Sequence, residues 1–553
     1  MKIMRIAPRA IKTRHPLFVG CFAFIGITAA LLAQAATSSI AAEAESGTLQ
    51  GRAALVADSA ASAGQAVRFG ADTEAEPWPA ADSFSICGNS SVLDGPTVAP
   101  SGATTIAPGT DLAAATASNP GGTTFYVTAG THSLPAGPVI VKANNSYIGA
   151  PGAVLDGQFR ANDGARSLAF KGGSAGIKIQ HLTIKNFGQA DGKMTAMINQ
   201  SPINWSQGAS WTISNNTIAY NGGAGVWVSS NSKLQNNCIE NNEQLGVAVP
   251  STGSTAQTVN PLIENNEIRN NNPSNAIESA GVCSGCAGGM KVWNSKAATI
   301  RNNRVTSNNG AGIWVDNNNI DTLVEHNVSK DNRRYGIFLE ISYNAIIRNN
   351  YVAKNYVGLG PSAGNYPHSG IYISESGGDQ ATKTLLGGTF AAEVDVTGNY
   401  VIDNWNGINL WENAGRYCTQ NDTDNCPPRI TDKTGQCVTN LSANADVCRW
   451  KTQFVKVHDN RFEMTADARS SWCPISNVNC GRNALQSNTE PSGTPYAGTA
   501  IQTAISRNQS NSFYDNTYIG GWKFSVPTAS AQIPAASWQD SWTQDTGSDF
   551  SNN

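Results

Sequence analysis

Seven times along this chain a glycine opens a short alternating stretch: GVWVS, GVAVP, GMKVW, GIWVD, GIFLE, GIYIS and GINLW. The first and third residues after that glycine are always apolar: Val226/Val228, Val247/Val249, Met290/Val292, Ile313/Val315, Ile337/Leu339, Ile371/Ile373 and Ile408/Leu410. A period of two with one wholly apolar side is the mark of a strand that buries one face, and a helical period of 3.6 does not produce it. Ahead of each stretch lies an asparagine pattern. The pairs Asn215-Asn216, Asn236-Asn237, Asn265-Asn266, Asn302-Asn303, His326-Asn327, Asn349-Asn350 and Gly398-Asn399 are each followed, five residues on, by Asn221, Asn242, Asn271, Asn308, Asn332, Asn355 and Asn404. Repeats of about 21 to 24 residues, apolar on one side and stacked on asparagine, predict an all-β solenoid, a parallel β-helix in which each coil buries its aliphatic face only against its neighbours. The asparagines are expected to form amide ladders between coils. His181 and His326 fall in the same columns and read as turn residues, and His458, before Asp459-Asn460, marks a further coil.

If the aliphatic positions point inward, the second and fourth point out. They read Trp227/Ser229, Ala248/Pro250, Lys291/Trp293, Trp314/Asp316, Phe338/Glu340, Tyr372/Ser374 and Asn409/Trp411. The outward face is therefore rich in rings, expected as an exposed stripe that binds substrate through Trp227, Trp293, Trp314, Phe338, Tyr372 and Trp411. The alternative is that the rings stack on one another and stiffen the sheet. Two coils lengthen the usual four-residue step from ladder asparagine to strand glycine, to eighteen residues from Asn271 to Gly289 and fifteen from Asn355 to Gly370. Both insertions precede the same strand, which predicts walls from residues 272–288 and 356–369 around a floor of Lys291, Trp314, Asp316, Phe338, Glu340 and Tyr372. A third insertion, Glu412 to Lys451, leaves at the opposite edge and carries four cysteines.

Composition adds compartment and partner. The N-terminus carries Lys2, Arg5, Arg9, Lys12 and Arg14, then the apolar run LFVGCFAFIGITAALLA and Ala33-Gln34-Ala35, a signal-peptide pattern. An uncleaved anchor is the rival reading, since seventeen apolar residues approach the length that spans a bilayer. Cleavage after residue 35 removes five of the 37 basic residues and no acidic ones, leaving 32 against 40, a net charge of −8 that disfavours nucleic acid as a partner. Ten of the eleven cysteines remain, an even count that predicts disulfides in an exported chain. Cys283-Ser-Gly-Cys286 reads as a local staple in preference to a redox or zinc motif. Residues 36–122 form an N-terminal extension: Glu43–Gly70 resembles the opening strands of β-sandwich carbohydrate-binding modules but is far short of the roughly 100 residues such a module needs, and a short helix follows Asp111 as its N-cap. The β-helix is placed at 123–465 and a disulfide-rich C-terminal coil and cap region at 466–553.

Adjacent parallel strands lie about 4.8 Å apart, so Asp316 and Glu340 form a close carboxylate pair with three outcomes: a shared proton, a bridging cation, or simple solvation. One reading is elimination or epimerisation on a uronate polymer. A cation on Asp316 and Glu340 neutralises the sugar carboxylate, Lys291 takes the C5 proton, and His368, Tyr366 or Arg334 assists the leaving group. The other is hydrolysis by the two carboxylates without a metal.

From residue 123 onward, the stretches GTTFYVTAGTHSL, SYIGAPGAVLDG, MKVW, GAGIWVDNNNIDTLVEHN, YGIFLEISYNAIIRNN, SFYDNTYIGGWKFSV and SWQDSWTQDTGSDF resemble the secreted right-handed parallel β-helix repeat family of the pectin-lyase-like superfamily. The resemblance implies a right-handed coil, secretion or a cell-surface location, and an activity among polysaccharide lyases, C5-epimerases, hydrolases and non-catalytic glycan-binding members. Lysine-base uronate lyases of this superfamily place a lysine beside calcium-binding carboxylates, to which Lys291, Asp316 and Glu340 are similar in kind, so Ca2+ is the implied cofactor. Where mannuronan epimerases carry Asp-Pro-His, this chain reads Tyr366-Pro367-His368. A lyase on an extracellular acidic polysaccharide, working as a monomer, is the leading expectation, and an adhesion protein that binds glycan without cleaving it is the alternative.

Overall fold

The computed structural model describes residues 53–57, 65–69, 78–80, 84–159, 168–188, 201–203, 208–249, 257–275, 286–362, 368–413, 416–418, 426, 437, 445–487, 503–527 and 532–551. The signal segment and Tyr366-Pro367 lie outside them. The chain divides into two units, Met1–Pro77 and Trp78–Asn553. In the first, Ala53–Ala57 pairs antiparallel with Gln65–Phe69. In the second, three parallel sheets of 13, 13 and 9 strands run the length of a solenoid. Sheet 1 runs from Thr104–Ile106 to Ser512–Tyr514, sheet 2 from Gly130–His132 to Asp549–Ser551, and sheet 3 from Val226–Trp227 to Lys523–Ser525. The coils thus extend past both expected limits, starting at Thr104 and ending at Ser551. The expected cap helix is Leu112–Ser118, with the Asp111 side chain accepting from the amides of Ala113 and Ala114.

The repeat has a local physical cause. The first member of each asparagine pair is left-handed, as in Asn215 (φ 60°), Asn302 (φ 54°) and Asn349 (φ 53°), and His181 and His326 take the same conformation, which asparagine tolerates better than most side chains. The second member is buried and joins the ladder. Asn303 Nδ2 donates to Asn327 Oδ1 at 3.0 Å, and Asn327 Nδ2 to Asn350 Oδ1 at 3.0 Å. Asn308, Asn332 and Asn355 form a second ladder at the next corner in the same way. That ladder also explains the glycine: a Cβ on Gly336 would lie 2.6 Å from Asn355 Nδ2 and 2.8 Å from the Gly370 carbonyl. The inward aliphatic residues of sheet 3 are fully buried, as expected.

The cysteines of the third insertion pair locally, Cys418 with Cys426 and Cys437 with Cys448, and Cys473 pairs with Cys480. Cys286 is disulfide-bonded, while Cys283 lies outside the described residues. Cys87–Cys238 joins positions 151 residues apart. It fixes residues 84–94 along the outside of the coils, where Glu267 accepts from the amides of Ile86 and Cys87 and Leu93 meets His181. Such bonds belong to an oxidising compartment. Among the described residues no helix is long and apolar enough to cross a membrane.

Candidate functional site

Sheet 3 carries every described site residue predicted from the sequence, with Arg334 and His368 just ahead of its strands. The strands Gly288–Trp293, Ala311–Asp316, Ile337–Glu340, Ile371–Ser374 and Ile408–Glu412 stack in register, with Lys291 beside Trp314, Trp314 beside Phe338, Phe338 beside Tyr372, and Asp316 beside Glu340. The rings do not form the expected exposed stripe. Trp314 is 8% exposed, Phe338 7% and Tyr372 2%, and Trp227 and Trp411 are also buried; Trp293 alone of the six is half-buried. The reason is mutual cover. Trp314 stacks on Phe338 at 5.1 Å, Phe338 meets Tyr372 at 4.8 Å, and Trp227 packs with Ala224, Leu245 and Ala248. Of the two predicted walls, residues 276–285 and 363–367 lie outside the described residues.

The polar groups gather at the two edges of this face. At the fourth-position edge, Lys291 Nζ sits 2.9 Å from Asp316 Oδ2 and 3.5 Å from the centroid of the Trp314 ring, with Trp293 at 4.7 Å. Its side chain is only 5% exposed, so the ammonium is enclosed by a carboxylate and two indoles. Glu340 is held from the other side: Arg416 Nη1 donates to Glu340 Oε1 at 2.6 Å and to Glu375 Oε2 at 3.0 Å. Burial, together with the Asp316 charge, pushes the Glu340 carboxyl up to about 7, with Arg416 acting against the rise and Glu375 adding to it. The same carboxylates hold the Arg416 guanidinium firmly protonated against its burial.

Of the two carboxylates expected to hold calcium, an ion that takes six to eight oxygen ligands, Asp316 contacts Lys291 and Glu340 contacts Arg416, each within 3.0 Å. Among the described residues the one cluster close enough to hold a metal is Cys87, Cys238 and Glu240, whose two sulfurs are joined as a disulfide.

At the opposite edge the structure brings Arg334 and His368 together with a residue the sequence reading missed. Tyr335 Oη lies 3.1 Å from His368 Nδ1, and the imidazole stacks on Tyr356 at 4.0 Å with the planes 9° apart. Tyr335 itself stacks on Tyr372 at 4.7 Å, which ties this edge to the aromatic column. Burial, then the charges of Arg334 and Arg482, push the His368 imidazole down to about 3. It is therefore neutral at ordinary pH. A signal for Tyr335 exists in the sequence: the residue before the strand glycine is otherwise Ala224, Leu245, Gly288, Ala311, Ser369 or Asn406, and only here is it aromatic. Arg416, Glu375 and Arg482 carry no such signal, because Arg416 comes from an insertion 76 residues beyond Glu340 and Arg482 occupies the glycine column of a later coil.

Residues 201–383 match the family model of the right-handed beta helix region. No curated protein sequence matches the chain. Among solved structures, the A-module of the mannuronan C-5 epimerase AlgE4 of Azotobacter vinelandii is similar at 12% identity, covering 77% of this chain and 93% of its own, with a TM-score of 0.39. A PL6 family polysaccharide lyase from Pseudopedobacter saltans is similar at 12% identity, with 81% and 91% covered and a TM-score of 0.41. An alginate lyase from Paenibacillus sp. is similar at 14% identity, with 56% and 92% covered and a TM-score of 0.32. With three parallel sheets closing a solenoid and the family match at its centre, the chain is a right-handed parallel β-helix protein.

Proposed function

We propose that the protein is a polysaccharide lyase acting on an extracellular uronate polymer, with its chemistry at Tyr335 and His368. One observation carries this reading: a neutral imidazole under the positive field of Arg334 and Arg482, hydrogen-bonded to a tyrosine hydroxyl. A sugar carboxylate drawn to those guanidiniums loses part of its charge, which acidifies the neighbouring C5–H. Burial is the main cause of the lowered imidazole, and the bound carboxylate offsets the lesser one, the arginine charges, so the imidazole regains part of its basicity as substrate arrives. His368 Nε2 then takes the C5 proton, the C4–O bond breaks as the C4–C5 double bond forms, and the departing oxygen takes the Tyr335 hydroxyl proton. Nδ1–H returns its proton to the tyrosine across the 3.1 Å bond, and exchange with water then removes the proton from Nε2 and restores the one on Nδ1 before the next turnover. Tyr366, two residues before His368, is proposed as an assisting group, and the aromatic column as the support that fixes Tyr335.

Incubating the protein with a panel of uronate polymers should give the ultraviolet absorbance of an unsaturated product. His368→Ala and Tyr335→Phe should lower the rate at least 100-fold, a usual scale for losing a positioned acid or base. Absence of that product on every polymer, or full activity in His368→Ala, would sink the proposal. New reducing ends without absorbance would favour hydrolysis instead, with Asp316 and Glu340 as the pair, since a carboxyl raised to about 7 beside a second carboxyl is the arrangement of a general acid and its partner.

A further inference from the structure

The corner between sheets 1 and 2 is the one that does not border sheet 3, and its left-handed residues stack from coil to coil as an outward column. Residues 78–80 and 84–96 lie along the outside of the coils: Trp78 meets Tyr400 at 4.8 Å, Cys87 is bonded to Cys238, and Tyr126 Oη donates to Pro96 O at 2.8 Å. Where this segment reaches the column it occupies it. Asn215 Nδ2 donates to Val92 O at 2.9 Å, and His181 Nδ1 lies 3.1 Å from Leu93 O. Three later positions of the same column, Asn265, Asn302 and His326, instead line a cavity of about 420 Å³, together with Pro79 and Phe84. Among the described residues the side-chain amides of Asn265 and Asn302 make no hydrogen bond. Apart from the imidazole the lining carries no ionisable group, and the charges around it are already paired: Arg301 with Glu264 at 2.6 Å and Arg348 with Glu325 at 2.7 Å.

We propose that this cavity binds one neutral sugar unit of a polysaccharide, a second glycan contact on the corner away from sheet 3. Its volume falls within the range of small-molecule sites. Each carboxamide offers two donors and an acceptor, which suits hydroxyls that both give and take hydrogen bonds. Successive coils repeat that offer about every 4.8 Å, within the span of a pyranose ring; an extended peptide repeats its same-side groups only about every 6.8 Å, twice the strand rise, and falls out of step. Phe84 and Pro79 supply an apolar wall for the C–H face of the ring. A uronate gains nothing here, because Arg301 and Arg348 are taken by carboxylates. The inference does not depend on the reaction proposed for sheet 3.

Saturation-transfer NMR on the full-length, oxidised protein tests it, with the methyl glycosides of glucose, galactose, mannose and xylose as probes and methyl glucuronide as the charged comparator. At least one neutral glycoside should bind. The informative variant is Asn302→Gly: Gly398 already fills the same column at φ 63°, so the change strips the amide and keeps the left-handed corner. It should weaken binding about ten-fold, the worth of one or two hydrogen bonds. Phe84→Leu, in a segment still held by Cys87–Cys238, should weaken it by about three-fold or more. Failure of all four neutral glycosides to bind would overturn the proposal. Unchanged binding in Asn302→Gly would do the same by placing the sugar elsewhere, and an Asn302-dependent signal as strong from methyl glucuronide as from methyl glucoside would refute the preference for a neutral sugar.

Discussion

Truncating one ladder amide tests whether the asparagines, rather than the aliphatic filling, hold the coils in register. Asn332 is the most informative position, because it lies mid-ladder and beneath the proposed site. Its Oδ1 accepts from Asn308 N at 3.1 Å and Asn308 Nδ2 at 3.0 Å, and its Nδ2 donates to Val305 O at 3.0 Å, Ser329 Oγ at 3.2 Å and Asn355 Oδ1 at 3.0 Å. Asn332→Ala does not strip all of these groups equally. Asn308 Nδ2 keeps Ile268 O at 3.1 Å, and Asn355 Oδ1 keeps the Asn332 amide at 3.0 Å. The Asn308 backbone N–H, however, loses its acceptor in a buried place, which costs about 1–3 kcal/mol, and the weakened Val305 and Ser329 bonds add about 1 kcal/mol. The expected loss is about 2–4 kcal/mol. In a solenoid each coil touches only its neighbours, so the damage stays local. Amide exchange is therefore the right assay: Asn308 and the strand Ile337–Glu340 should exchange roughly 30- to 700-fold faster, at about 1.4 kcal/mol per ten-fold. Acceleration below three-fold would mean that water or backbone shift replaces the amide, and that the ladder records the fold without supporting it.

Three further outcomes follow from the same structure. Cys238→Ser should destabilise the region around residues 84–94 by about 5 kcal/mol, the loop-entropy value for a 151-residue separation, and expose that segment to proteases that leave the intact protein uncut; equal resistance would show that Glu267 suffices to hold it. Because the carboxylates of sheet 3 are already paired with nitrogen, a chelator should leave the melting temperature unchanged, and a fall of several degrees would restore the calcium expectation. The Glu340 carboxyl is raised from 4.5 to about 7, so the folded state binds its proton more tightly than the unfolded chain, and that stabilisation is full below about pH 4.5 and lost as pH rises through 7, at most about 3 kcal/mol; His368, depressed from 6.5 to about 3, contributes with the opposite sign, present above 6.5 and lost as pH falls. Urea unfolding of Glu340→Gln between pH 4 and 8 should therefore show stability that rises with pH, and a slope identical to that of the unaltered protein would refute the assignment.

The coil was legible because its causes are repeated in the sequence. A left-handed corner favours asparagine, a ladder amide crowds out any Cβ at the following glycine, and a filled interior demands alternate aliphatic residues; Asn302, Asn308 and Gly312 each follow from one of these. Asp459-Asn460 and Asp515-Asn516 continue the pattern with aspartate at the left-handed position, which is why the coils run on past residue 465. The outward face was legible in identity but not in exposure. Period two places Trp314 and Phe338 outside the coil, but it says nothing of how far each ring covers the next at the spacing of the strands. Charge pairing was less legible still. Lys291 and Asp316 were placed one coil apart, yet that Glu340 meets an arginine depends on how the chain turns just past the strand Ile408–Glu412, two coils further on.

The two edges of sheet 3 differ in a way that bears on the choice of chemistry. At the Asp316–Glu340 edge every described cation is answered by a carboxylate, and an incoming uronate would meet at least as much negative charge as positive. At the Tyr335–His368 edge the charges that act on the imidazole are both positive, and burial is what makes them felt. On the proposed reading, a polyanion would be drawn to the second edge and repelled at the first. The carboxylate pair that dominates the sequence pattern is thus paired with Lys291 and Arg416, and the tyrosine that is the one ring in its column marks the edge where the proposed reading seats the acidic sugar.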